Sequence, residues 1–289
     1  GPDGNLFICD IGNHVIRNAI ALIAGGAAFA DARLLEQGTA LLRRELPEQI
    51  LPDGGHYERS PAYHLVVLRD LLLARAILSQ TSLASAGAAA ARPALLDQLD
   101  GVIASMRLFA AALARPDGEP APFNDAIPGL APVLDLSPAP TGLAVFADTG
   151  YAVVREGPLW LAFDCGPCSP PFLPAHAHAD ALSVQICWDG RPVVAEAGTS
   201  TYDAGLQRDR ERSTAAHSTV TVGGRDQFRP ELLATPRTDH DVGGARHDLV
   251  AIGNDAVLAQ RLARQFRKAI VPTGDAHELR HPLDRADVG

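Results

Sequence analysis

The stretch GLAVFADTGYAVVREGPLWLAFD, residues 142–164, marks the change of hydrophobic period that decides the fold class. Apolar residues here recur at alternate positions, which is typical of β-strands. The pattern predicts strands at residues 142–146, 151–155 and 159–164, with a turn at 148–150. Further strands are predicted at residues 181–188, 192–196 and 218–222, and Asp189-Gly190 is a strong hairpin signal.

Upstream of this stretch the apolar spacing is that of helices, which are predicted at residues 13–30, 31–46, 60–78 and 93–113. Asp31 is a plausible N-cap for the second helix, and Ser60-Pro61 is a typical start for the third. A proline-rich region around residues 120–140 predicts a linker or a long surface loop.

Helices followed by an antiparallel sheet define an α+β multidomain chain. We expect a helical part at residues 1–138 and a β part at residues 139–235. Residues 236–289 lose the alternation, and we interpret them as an uncertain tail that is non-native, frameshifted or poorly ordered.

Composition limits the possible partners. The 289 residues carry a formal net charge of −9, and 47% of them are hydrophobic, which is a globular composition without the basic excess of a nucleic-acid-binding protein. No segment reaches the ~18 apolar residues of a membrane span. The start of the chain lacks the basic region and cleavage site of a signal peptide, and it opens without a capped helix, as a truncated chain would.

The densest group of polar residues is PAHAHAD, residues 174–180. Two histidines at i and i+2 on an extended chain, His176 and His178, point to the same side. One of them can bind a metal while its neighbour faces a cleft, and together with His217 and Glu196 further on this gives two imidazoles and one carboxylate, a credible zinc set. The alternative is a hydrogen-bonded histidine pair at the end of a strand.

Cys165-Gly-Pro-Cys168 has the spacing of a redox pair, and it could also join the two histidines in a zinc site. A thioredoxin-like site would lie in a βαβ unit, which the pattern does not predict here. Two incidental loop cysteines remain the simplest interpretation.

The helical half holds a second group, which comprises Asn13-His14 and the loop DGGHYERSPAYH at residues 53–64. A tyrosine, several histidines and an arginine suit chemistry on an acidic sugar, although ordinary loop-to-helix capping explains them too. Asn124-Asp125 is a third candidate, for which a loop turn is the competing interpretation.

Taken together, these motifs resemble those of the heparinase II/III-like polysaccharide lyases. The resemblance covers roughly residues 10 to 228 in order, through GNHVIRNA, ILPDGGHYERSPAYH, RPDG with FNDA, PAHAHADALSVQ, VVAEAGTSTY and RSTAAHSTVTV. It implies a partial α/α toroid followed by an antiparallel β-sandwich, with the active cleft between them. It also implies a periplasmic or secreted protein.

The resemblance implies cleavage of a uronic-acid-containing polysaccharide by β-elimination, in which neutralising the uronate carboxylate stabilises an enolate-like transition state. The catalytic residues that it implies are Asn13, His14, Tyr63 and His176, and the candidate substrate-binding residues are His56, Arg59 and His64. His178 and His217 match metal-binding histidines, and Glu196 falls where the family generally has aspartate, which makes zinc the expected cofactor.

Two other functions fit the same residues. The chain could be a non-catalytic protein that binds acidic polysaccharide or assists exopolysaccharide assembly, or a zinc hydrolase that uses a metal-bound water. Formation of an unsaturated uronate product distinguishes the lyase from both.

Overall fold

The computed structural model describes residues 14–81, 86–126, 129, 131–136, 138–168, 176–221 and 223–227. The side chains of residues 14 and 86–91 are outside this description. The expected tail at residues 236–289 also lies outside the described residues.

Four long helices come first, and they overlap the four helices that the apolar spacing predicts, although the fourth begins at residue 86 and not at residue 93. They are α1 (His14–Phe29), α2 (Ala32–Gln49), α3 (Pro61–Gln80) and α4 (Ala86–Leu113). Asp31 caps α2 as expected, because its carboxylate accepts hydrogen bonds from the backbone N–H groups of Arg33 and Leu34. Ser60 occupies the N-cap of α3 without a side-chain hydrogen bond, and Pro61 opens that helix.

A single apolar core joins these helices. Helix α1 packs against α2 and α3, and α3 packs against α4. Gly38 of α2 permits a close approach to α1, since a Cβ atom there would lie 2.8 Å from the carbonyl oxygen of Ala19. The largest fully buried side chains of this core are those of Ile16, Ile23, Leu42, Leu46, Leu68, Leu71 and Leu78.

An antiparallel sheet follows, and it confirms the predicted order of helices before strands. Its strands are β1 (Gly142–Phe146), β2 (Tyr151–Glu156), β3 (Leu159–Asp164), β4 (Val184–Trp188) and β5 (Arg191–Val194), hydrogen-bonded in that order. Asp189 and Gly190 connect β4 to β5 with φ values of 49° and 74°. These are the left-handed conformations that a two-residue type I′ hairpin requires.

The strand predicted at residues 218–222 is wrong for the part that the structure describes, since residues 218–221 are irregular. The backbone N–H of Ser218 donates to the Glu196 carboxylate, and the Thr219 hydroxyl donates to the carbonyl of Ala181. Such side-chain to backbone hydrogen bonds compete with a strand ladder. A helix that the sequence did not predict, α5 (Leu206–Arg212), precedes this segment.

One face of the sheet packs on the end of α4. Trp160 of β3 is buried there, and its indole N–H donates to the carbonyl of Ala112 over 3.2 Å. Phe109 of α4 meets the rings of Phe146 and Tyr151 edge to face. The helices and the sheet are therefore joined through a second apolar core.

A buried polar contact joins the loop after α2 to the turn between β1 and β2. The Asp53 carboxylate accepts hydrogen bonds from the backbone N–H and the hydroxyl of Thr149, over 2.7 and 2.6 Å. A Cβ atom at Gly55 would lie 1.7 Å from the Thr149 hydroxyl oxygen, so glycine is required at this crossing. No helix within the described ranges is long and apolar enough to cross a membrane.

Candidate active site

Four segments meet beside the junction of helices and sheet. They are the loop at residues 50–60, the first turn of α3, the loop at residues 121–126 and the segment that starts at residue 176. Asn124 adopts a φ of +54°, a left-handed conformation that asparagine tolerates better than most residues. Its side-chain oxygen accepts from the backbone N–H of His178 over 3.3 Å, and its amide nitrogen donates to the carbonyl of Arg59 over 3.2 Å. Asn124 thereby connects the histidine segment to the helical part.

Asp125 lies at the centre of the site and is fully buried. Its Oδ2 is 2.8 Å from His176 Nδ1, and its Oδ1 is 2.8 Å from His178 Nε2. Arg208 of α5 contacts both oxygens, with Nη2 2.7 Å from Oδ2 and Nη1 2.5 Å from Oδ1. Burial alone would raise the pKa of Asp125, but hydrogen bonds from His176, His178 and Arg208 hold it well below its ordinary value.

His176 is partly exposed and stands between two groups besides Asp125. Its ring centroid is 4.2 Å from that of Tyr63, with the planes inclined by 34°. Its Nε2 is 3.6 Å from the Glu58 carboxylate. This distance is too long for a direct hydrogen bond, and it is an ion pair only if the imidazole is protonated.

The phenol of Tyr63 pairs with a second tyrosine. The hydroxyl oxygens of Tyr63 and Tyr202 are 2.9 Å apart, and the Arg208 guanidinium lies 5.3 Å from the centre of the Tyr202 ring. Partial burial raises the pKa of Tyr63 above its ordinary value, and burial together with the hydrogen bond to Tyr63 raises that of Tyr202. Both phenols are therefore protonated at neutral pH, and Tyr202 is 46% exposed.

A second polar group lies on the far side of His178. The ring centroids of His178 and His217 are 5.2 Å apart, and His217 Nδ1 is 2.5 Å from Glu196 Oε2. The other oxygen of Glu196 accepts from the backbone N–H of Ser218 over 2.8 Å. Burial opposes protonation of His217, but the Glu196 hydrogen bond and the charge of Asp180 raise its pKa above the ordinary value.

The remaining nitrogens of these two rings have no hydrogen-bond partner among the described residues. They are Nδ1 of His178 and Nε2 of His217, and both carboxylate oxygens of buried Asp180 share this property. Metal-bound histidines typically have one ring nitrogen held by a carboxylate and the other free for the metal, and both rings have that form here. In the part of the chain that the structure describes, no three acidic, imidazole or thiol groups are already placed to hold a metal.

Other residues singled out in the sequence lie in different surroundings. Asn13 is outside the described residues, and His14 begins α1 with its side chain outside the description. The guanidinium of Arg59 donates to the carbonyl oxygens of Thr149 and Tyr57, so it supports the loop that carries Glu58.

His56 and His64 form a buried pair beneath the site, each only 1% exposed. His64 Nδ1 accepts from the backbone N–H of His56 over 3.3 Å, which leaves its Nε2 to donate to the carbonyl of Met106 over 2.9 Å. Burial lowers the pKa of His64 to about 4. The surface that a substrate can reach does not include these two rings.

The cysteines of the CxxC sequence are both free thiols. Burial raises the pKa of Cys165 to about 12 and raises that of Cys168 as well. A redox-active cysteine needs a lowered pKa, so these thiols have the character of inert structural residues.

Sequence reasoning missed three participants, namely Tyr202, Arg208 and the central role of Asp125. Asp125 was singled out, but a turn was the preferred interpretation. Tyr202 ends the VVAEAGTSTY motif, which is the one signal that could have identified it. Arg208 lies in LQRDRER, which has no apolar period and gives no such signal.

Comparison with known proteins places this chain in a family. The heparinase II/III N-terminus matches residues 7–135, and the heparinase II/III-like C-terminal domain matches residues 138–275. These matches together span most of the sequence, and the chain belongs to the heparinase II/III-like family. No curated protein matches the chain closely enough to count as a relative.

Several solved structures share the fold. A heparinase III, the BT4657 gene product, matches with a TM-score of 0.61 and 22% identity over 75% of this chain and 38% of its own. The heparan sulfate lyase HepC from Pedobacter heparinus matches with a TM-score of 0.57 and 18% identity, over 76% of this chain and 38% of its own. Another heparinase III matches with a TM-score of 0.59 and 19% identity, over 75% of this chain and 40% of its own. At these identities the likeness is one of fold, and the chain spans about two fifths of the length of each.

Proposed function

We propose that this chain is part of a lyase that cleaves a uronic-acid-containing polysaccharide by β-elimination. The observation that carries the proposal is the contact of Tyr63 with His176 in a partly exposed site, where a buried carboxylate holds the opposite side of the imidazole. The family supports the reaction class at a general level. We also propose that the helices form part of an α/α toroid and that the sheet forms part of a β-sandwich, as in such lyases.

The residues can divide the proton transfers between them. In a neutral His176 imidazole whose Nδ1–H is donated to Asp125, Nε2 carries a lone pair that can accept the C5 proton of the uronate. The C5–H electrons form the C4=C5 double bond while the C4–O4 bond breaks. The phenol of Tyr63, which is protonated at neutral pH because burial raises its pKa, donates its proton to the departing O4.

Asn13 and His14 have the proposed role of hydrogen bonding to the uronate carboxylate, which makes the C5 proton easier to remove. The predicted substrate-binding residues have an indirect role in this proposal. The buried rings of His56 and His64 and the hydrogen-bonded guanidinium of Arg59 would support the loop that carries Glu58 without touching the substrate. Glu58 faces the same imidazole as Tyr63 and is itself buried.

We propose that the second polar group holds a divalent metal, and zinc is the ion that imidazole ligands suit. The nitrogens available to bind the metal are Nδ1 of His178 and Nε2 of His217, and a carboxylate orients each ring through its other nitrogen. Glu196, the expected third ligand, lies on the Nδ1 side of the His217 ring, opposite the free Nε2, so in this arrangement it orients the ring and would have to leave that hydrogen bond to bind the same metal. A metal held there would supply rigidity, and the segment that carries His176 would stay aimed at the cleft.

The test is a panel of uronate polysaccharides incubated with the protein and followed by the ultraviolet absorbance of unsaturated uronate. We expect absorbance to rise with at least one polymer, and to rise far more slowly with the His176→Ala variant. Polymer binding without any absorbance change, for every polymer that binds, would favour the non-catalytic binding protein.

A further inference from the structure

We propose that Asp125, supported by Arg208, is a positioning residue that fixes the tautomers of both histidines in the PAHAHAD segment. It leaves His176 with a bare Nε2 and His178 with a bare Nδ1, which are opposite tautomers. The consequence for turnover rests on the proposed lyase function, whereas the tautomers themselves do not.

The hydrogen-bond inventory of Asp125 requires its carboxylate to accept every bond. Arg208 contacts both oxygens with guanidinium N–H groups, which can only donate. The Thr199 hydroxyl donates to Oδ1 over 3.1 Å, and it accepts from Arg208 Nη1 over 3.2 Å. No partner in this set needs a proton from Asp125.

Each histidine must therefore present an N–H to Asp125. The nitrogen in contact is Nδ1 for His176 and Nε2 for His178, each at 2.8 Å from a different oxygen. A neutral imidazole carries a single N–H, so the opposite nitrogen of each ring is left with its lone pair. In His176 that nitrogen lies on the Glu58 side, and in His178 it lacks any described hydrogen-bond partner.

Arg208 stabilises the buried negative charge of Asp125. A buried carboxylate without a counter-charge is costly, and the bidentate guanidinium of Arg208, itself only 6% exposed, supplies that charge. The Arg208 guanidinium also lies over the Tyr202 ring. One buried ion pair thereby orients a general base, a candidate metal ligand and the tyrosine that pairs with Tyr63.

The substitution Asp125→Asn tests this inference directly. The asparagine side chain offers one oxygen and one NH₂ group in place of two acceptor oxygens. It can accept the N–H of only one histidine, so the other ring must turn its lone pair inward and reverse its tautomer, or lose its hydrogen bond.

The experiment is ¹⁵N NMR of the histidine side chains at neutral pH, with signals assigned from the single variants His176→Gln and His178→Gln. We expect a protonated Nδ1 for His176 and a protonated Nε2 for His178 in the unmodified protein. In Asp125→Asn, at least one of the two rings should reverse or average its tautomer. Asp117→Asn, which changes an exposed carboxylate away from the site, is the matched control and should leave both unchanged.

A protonated Nε2 in His176, or a protonated Nδ1 in His178, would overturn the proposal even if Asp125→Asn failed to fold. Retention of both tautomers in a folded Asp125→Asn protein would overturn it as well. On an active polymer, Asp125→Asn should lower kcat ~10²-fold with a much smaller change in KM, the size of a general-base contribution. If no polymer is cleaved, the lyase proposal fails while the tautomer measurement still decides this one.

Discussion

At the scale of single residues, the Tyr63 hydroxyl is the group on which the proposed chemistry depends most. Tyr63→Phe removes only that hydroxyl and keeps the ring that lies against His176. We expect turnover to fall at least ~10²-fold, because the departing O4 loses its proton donor. Steady-state rates of unsaturated product formation measure this loss.

Tyr202→Phe is the matched control, since it removes the other hydroxyl of the same pair. It leaves the Tyr63 phenol in place, so its turnover should fall much less. Equal rates for Tyr63→Phe and the unmodified protein would assign the proton donation to another residue.

His64 gives a prediction about acid stability. Its pKa is about 4 in the folded protein and about 6.5 when unfolded, so between these values the unfolded chain binds more protons. The stability that this neutral histidine contributes is complete above pH 6.5 and is lost as the pH falls towards 4. The linkage predicts a loss of about 2 kcal/mol at pH 5 relative to pH 7.

Urea unfolding at both pH values, compared between the unmodified protein and His64→Gln, isolates this contribution. The raised pKa of buried Asp164 has the opposite effect, because its folded carboxyl holds a proton that the unfolded one releases, so only the difference between the two proteins is informative. An identical pH dependence in both proteins would show that His64 titrates normally.

At the scale of elements, substitution by alanine should have opposite effects on stability at two glycines, Gly55 and Gly101. A Cβ atom at Gly55 would collide with Thr149 at the junction of loop and sheet, whereas one at Gly101 in α4 meets nothing within 4 Å. Gly55→Ala should destabilise the fold by about 1–3 kcal/mol or more. Gly101→Ala should stabilise it by about 0.5–1 kcal/mol, and a thermal unfolding curve of each variant decides both.

The contact between the His178 segment and the His217 segment predicts a stabilising metal. Purified protein should contain close to one equivalent of zinc, and a chelator should lower its Tm. His217→Ala should lose both the zinc and the effect of the chelator, because one free ring nitrogen is removed. Zinc content that is unaffected by His217→Ala would contradict the proposed ligand set.

Much of the element order could be predicted from the sequence because the apolar period is a local property. The alternation found strands β1 to β5 to within a few residues, and Asp189-Gly190 identified the hairpin between β4 and β5. It failed at residues 218–221, where the bonds of Ser218 and Thr219 depend on partners 22 and 38 residues away.

The site was only partly predictable for the same physical reason. The spacing of His176 and His178 identifies them in the sequence, and the loop that precedes α3 identifies Tyr63. Asp125 resembles a turn residue until the fold brings it to His176 and Arg208, which are 51 and 83 positions away. No local pattern records such a contact.

At the scale of the whole molecule, the chain matches both the N-terminal and the C-terminal models of the heparinase II/III-like family, and it spans about two fifths of the length of its structural relatives. The candidate site lies beside the junction of the helices and the sheet, and its residues come from the helical part and from segments outside the five strands. Its proposed activity therefore depends on the packing of α4 against β3 as well as on the site residues themselves.

The most direct test of the central claim is the mass balance of a single cleavage, measured by mass spectrometry on a defined uronate oligosaccharide. Elimination breaks the C4–O4 bond without adding water, so the masses of the two fragments should sum to that of the substrate, and one fragment should carry the unsaturated uronate. Fragments whose masses sum to the substrate plus one water would show hydrolysis and contradict the account.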